Sequence, residues 1–90
     1  MLSLLVASDV QQQLTQAVKD KRKSLKMSRQ ALSEQSTVAA STIKKFETTG
    51  QISLRQFILL WQCVDSLENL AAIMTPQIVS PTTIAEGLKS

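Results

Sequence analysis

The sequence predicts an all-α fold, a bundle of five short helices, and three observations carry that prediction. Two glycines and two prolines in 90 residues are too few for the closely spaced turns of a hairpin-rich β design. Apolar residues make up 43% of the chain, enough for one core, and in the first half they recur at helical spacing. Asp9 with Gln12 and Ser53 with Gln56 have the capping-box spacing that opens helices. Ninety residues can enclose a single core but not two.

After Asp9, Leu14, Ala17, Val18, Lys21, Arg22 and Leu25 keep helical spacing and predict a first helix over residues 10–25. The stems of Lys21 and Arg22 lie on its inner side. Ser28 reads as the N-cap of a second helix, 29–36, burying Ala31, Leu32 and the stem of Gln35. "TVA" (37–39) is a short turn. A third helix, 40–48, is closed by Gly50. Ser53 opens a fourth, running to Val64, whose Leu54, Phe57, Ile58, Trp61 and Val64 can fill the core. Asp65 and Ser66 start a fifth, 67–74, ending before Pro76, and Ser80–Pro81 can cap one more turn. The chain thus divides into an apolar N-terminal segment (1–9), a helical domain (10–74) and a C-terminal tail (75–90).

Composition removes several chemistries. There is no histidine and only one cysteine, Cys63, so an internal disulfide, a Cys/His zinc site and a nucleophile–histidine mechanism are all ruled out. Cys63 lies in an apolar run, as a small buried hydrophobe would. With no paired carboxylates in a plausible cleft and no glycine-rich phosphate loop, an enzyme is not expected, and neither is a metal or cofactor. "MLSLLVA" lacks the basic flank of a signal peptide, and no run approaches the length of a membrane span. The expectation is a cytoplasmic protein without a membrane partner.

The net charge of +3 is unevenly spread. "KDKRKSLKMSR" (19–29) holds six cations against Asp20, and Lys44 and Lys45 follow, whereas beyond Gly50 only Arg55 and Lys89 are basic. Such a run is commonly a solvated helix face; its layout here suggests nucleic acid. On the third helix Ser41, Lys44 and Lys45 share one face, with Ile43 and Phe46 roughly opposite. A helix anchored by an apolar pair, with a narrow polar first turn and flanking cations, can enter the major groove of DNA. The helix before it begins with Ser28 and Arg29, where backbone amides and a guanidinium can hold a phosphate. Helix, short turn, helix, with basic or hydroxylic N-terminal ends, is the helix-turn-helix arrangement.

"MSRQALSEQSTVAASTIKKFETTGQISLRQF" resembles the phage-repressor (Cro/CI, XRE) helix-turn-helix family, a lambda-repressor-like DNA-binding domain. Met27, Ser28, Leu32, Val38, Ile43, Phe46, Glu47, Ser53 and Leu54 match its pattern. The resemblance, covering residues 14–74, implies a DNA-binding repressor. It implies that Ala40, Ser41 and Lys45 face base edges, that Lys44 reaches base or backbone, and that Ser28, Arg29 and Thr42 contact phosphate. It also implies a buried structural ion pair between Arg22 and Glu47. Two departures stand out: Thr37 sits where the family usually has a left-handed glycine, and Ala39 replaces the usual serine cap.

The fourth helix, "LRQFILLWQCV", is apolar on more than one face. Leu59, Leu60 and Cys63 exceed one buried stripe, which suggests a subunit or partner interface. A two-fold dimer would place two recognition helices about 34–36 Å apart on a palindromic operator. "FETTGQISL" and "SLENLAAIMTP" resemble the HipB antitoxin branch of the family, implying a HipA-type serine/threonine kinase toxin as partner. The apolar ends would then close the dimer or grip that partner. A stand-alone phage-type repressor and a helical protein-interaction adaptor without DNA binding remain open alternatives.

Overall fold

The structure, a computed structural model, describes residues 4–74. They form α1 (Ala7–Ser24), α2 (Arg29–Ser36), α3 (Ala40–Thr49), α4 (Leu54–Val64) and α5 (Leu67–Ala71), followed by a 3-10 turn at Ala72–Met74. Among the described residues there is no strand, and no helix is long and apolar enough to cross a membrane. The first three residues and the tail, with the turn expected at Ser80–Pro81, lie outside the described residues.

The helix α1 starts three residues earlier than the expected Val10, so Ala7 to Asp9 belong to it rather than to a separate N-terminal segment. Asp9 is not the cap. It lies in the first turn, where its carboxylate accepts from the Val6 N–H at 3.2 Å and complements the positive end of the helix. The buried positions of α1 are Thr15, Val18 and Arg22. Leu14 and Leu25, expected inside, are 39% and 52% exposed.

Both ends of α2 are built locally. The Ser28 hydroxyl accepts from the Ala31 N–H at 3.0 Å. Thr37 ends the helix in the left-handed region at φ 67°, its N–H donating to the Ser33 carbonyl at 2.9 Å. A β-branched side chain there costs roughly 1–2 kcal/mol. Just before it, Ser36 is buried and its hydroxyl accepts from the Val38 N–H at 3.1 Å, satisfying an amide where the chain reverses. Val38 is then inserted into the core.

Ala39 precedes α3 without a side-chain cap. At the other end Gly50 takes φ 77°, and here glycine is required twice over. A Cβ at this position would stand 3.2 Å from Thr15 Oγ1 in a conformation that L side chains avoid. The Gly50 carbonyl accepts from Gln11 Nε2 at 2.7 Å, which ties the end of α3 to α1.

Ser53 caps α4, accepting from the Gln56 N–H at 3.1 Å. The inward stripe of α4 is Phe57, Leu60 and Val64, spaced i, i+3, i+7. Two sequence expectations are corrected here. Leu54 opens the helix beyond the edge of the core and is 74% exposed, whereas Leu60 is fully buried. Leu60 therefore cannot form an interface. Ser66 caps α5 through the Asn69 N–H at 3.2 Å, and the segment tightens into the 3-10 turn.

Helix α2 packs on α3 and α4, α1 packs on α3 and α4, and α5 packs on α4. Val18, Leu32, Val38, Ile43, Phe46, Phe57, Leu60 and Val64 form one core. Phe46 meets Phe57 edge-on, with ring centroids 6.1 Å apart and planes at 75°, the arrangement aromatic quadrupoles prefer. Burying each large aliphatic side chain contributes about 1.5–3 kcal/mol, set against the entropy of ordering the chain.

Candidate nucleic-acid interface

The exposed face of α3 is defined by what its other face does. Ile43 and Phe46 are buried, and next to them the Glu47 side chain is 1% exposed. Its carboxylate receives three hydrogen bonds: Arg22 Nε at 2.7 Å and Nη2 at 3.1 Å, and Arg29 Nε at 2.9 Å. The Arg22 Nη1 donates in turn to the Met27 carbonyl at 2.7 Å. One carboxylate on α3 thus binds a guanidinium from α1 and another from α2. Burial would raise the Glu47 pKa, but the hydrogen bonds and charges of Arg22 and Arg29 outweigh it and hold the group below the usual glutamate range. Such a cluster fixes the mutual angle of three helices. Charge-assisted bonds to a planar guanidinium are directional in a way that apolar packing is not.

With that side fixed, Ser41, Lys44 and Lys45 are exposed, while Ala40 and Thr42 are half-buried. Ala39 offers no side-chain cap, and the Thr42 N–H donates instead to the Ala39 carbonyl at 2.9 Å, where in α2 the Ser28 hydroxyl receives the Ala31 N–H. Behind this turn, Thr48 and Thr49 donate their hydroxyls back to the Lys44 and Lys45 carbonyls, each at 2.7 Å.

The six cations of residues 19–29 do not act as one patch. Lys21 pairs with Asp65 at 2.9 Å and stands 5.5 Å from the Trp61 ring centroid, linking α1 to the junction of α4 and α5. The hydrogen bond from Lys21, with those from the Ser66 N–H and Asn69, lowers the Asp65 pKa. The Trp61 indole N–H donates to the Ser66 carbonyl at 2.9 Å. Arg22 is buried. Arg29, expected at a phosphate, spends its Nε on Glu47 and keeps its side chain 40% exposed. Lys23 and Lys26 are exposed, and Lys26 takes a left-handed φ of 58° at the end of α1. Ser28, also assigned to phosphate, uses its hydroxyl oxygen as a cap.

Sequence reasoning missed the Arg29–Glu47 contact, which joins residues 18 apart and leaves no periodic mark. It also missed Ser36; a serine two residues before a core valine was the available signal. Leu59 and Cys63, paired with Leu60 as an interface, are half-buried and pack against the core. Burial raises the Cys63 thiol pKa, which disfavours the reactive thiolate. Among the described residues no group of three or more His, Cys, Asp or Glu side chains gathers to hold a metal ion.

No protein-family model, curated protein or solved structure matches this chain.

Proposed function

We propose that this chain is a sequence-specific DNA-binding repressor of the helix-turn-helix class, in which α2 and α3 are the two helices and α3 enters the major groove. The observation that carries this reading is the division of α3: Ile43, Phe46 and Glu47 are committed inward, and Ser41, Lys44 and Lys45 face out. The sequence pattern resembling phage repressors supports it. In this reading Ser41 and Lys45 address base edges, with Ala40 allowing close approach. Lys44 reaches base or backbone. Ser28, Thr42 and the exposed edge of Arg29 lie against phosphate. The functional unit is a homodimer on a palindromic operator. The resemblance to HipB extends the reading to an antitoxin that binds a HipA-type kinase and represses its own operon, and co-elution of such a kinase with the chain tests that extension.

The deciding experiment is fluorescence anisotropy on DNA upstream of the gene, with a scrambled competitor, over a range of salt. Sequence-preferring binding is expected, with log K falling linearly against log salt. The Lys44→Ala/Lys45→Ala double variant should stay folded and lose sequence preference, with the salt slope falling by about one unit where Lys44 contacts the backbone. Weak binding, equal on scrambled DNA, would overturn the repressor reading in favour of the interaction adaptor. One observation favours that second reading: Arg29 is held by Glu47 rather than presented whole to a ligand.

A further inference from the structure

A recess lies at the end of α3 away from its Ser41 turn. It is an open groove of about 500 Å³, lined by Leu14 of α1, Phe46 and Ile52 around the end of α3, Leu54 of α4, and Ile73 and Met74 after α5. Among the described residues no charged side chain lines it. Leu54, Ile73 and Met74 are each about three-quarters exposed. An apolar recess of this kind on a small domain marks a site that something covers.

The sequence itself offers an occupant. Met74, the last described residue, is part of the groove wall, and 16 residues follow it. That stretch contains Ile78, Val79, Ile84 and Leu88, with Glu86 and Lys89 as its only charges. Four residues of extended chain span at most about 14 Å, a tether short enough to hold Ile78 within reach of the recess. A tethered apolar pair meets the groove at an effective concentration of order millimolar. A second copy must instead bury on the order of 1,000 Å² to associate stably.

We propose that this groove is the docking site for residues 75–90 of the same chain, seated through the Ile78–Val79 pair. The docked segment withdraws Leu54, Ile73 and Met74 from water. This rests on the groove and on where the chain leaves it, independently of whether α3 binds DNA.

Disulfide trapping in the full chain tests it. In a Cys63→Ser background, Leu54→Cys is combined in turn with Ile78→Cys, Val79→Cys, Ile84→Cys and Leu88→Cys. Control chains carry Ser41→Cys in place of Leu54→Cys. At low micromolar protein, the Ile78→Cys or Val79→Cys pairing with Leu54→Cys should close an intramolecular disulfide at least about tenfold faster than its control. Disulfide-linked dimers as the main product would overturn the proposal in favour of a second copy. Equal rates for groove and control pairs would overturn it outright. Leu54 is exposed in the described domain, so the substitution leaves the core intact, and circular dichroism of each variant verifies folding.

Discussion

Two ends of this small bundle are held together by different physics. Where α1, α2 and α3 meet, a nearly inaccessible carboxylate takes three hydrogen bonds from two guanidinium groups. Where α4 and α5 meet the end of α3, the contacts are apolar and stay open as a groove. Directional, charged contacts fix angles; apolar contacts supply free energy but tolerate re-packing. The rigid end is the one that carries the outward lysines of α3, and on the proposed reading a helix lying in a groove of fixed width needs its angle fixed. The forgiving end is the one suited to the docking proposed for residues 75–90.

The comparison breaks most sharply at Arg22. Arg22→Ala removes two of the three bonds to Glu47 and should destabilise the fold by roughly 3–5 kcal/mol, read from chemical denaturation. Arg29 remains beside the carboxylate, so a loss under about 1 kcal/mol would mean that Arg29 alone suffices and the cluster is not the clamp described here. In the apolar core, Leu60→Ala should cost about 2–5 kcal/mol, whereas Leu59→Ala, half-buried at the preceding position, should cost distinctly less. Equal losses would restore Leu60 to the surface where the sequence alone had put it.

Acid should separate the two ends. Glu47 has a folded pKa below its unfolded value, so its contribution is present at neutral pH and is lost as pH falls through the depressed folded value. The stability difference between the natural chain and Glu47→Gln should therefore shrink steadily below about pH 4. Leu60→Ala should show no such pH dependence. Thr37→Gly relieves a left-handed β-branched residue and should raise stability by about 1 kcal/mol, measured by the thermal midpoint. The smallest effect belongs to Lys45→Ala, which should leave stability within about 0.5 kcal/mol, because that side chain is exposed.

What could be read from the sequence follows the range of the interaction. The starts of α2, α4 and α5 were legible because Ser28, Ser53 and Ser66 accept from amides three residues ahead, a local event. Gly50 was legible for the same reason. The start of α1 was misread because Asp9 works backwards from the first turn, and a capping carboxylate leaves the same trace in either place. The inward stripe of α4 was misphased: with apolar residues on several faces, only the neighbouring helices decide that Leu60 turns in and Leu54 out. On α3 the alternation was unambiguous, since its outward positions are serine and lysine. Arg29 could not be placed at all from spacing, because its partner lies on another helix.

Trp61 gives the molecule a built-in optical reporter. It is the sole tryptophan, its indole bonded to the Ser66 carbonyl and its ring beside Lys21. Its emission therefore registers the α1–α4–α5 junction and is blind to the lysines of α3. Titrating DNA should leave the emission wavelength unmoved, while release of α5 from the bundle should redden it before far-UV ellipticity falls. A single spectrum can thus time the loosening of one end of the protein while the other is still intact.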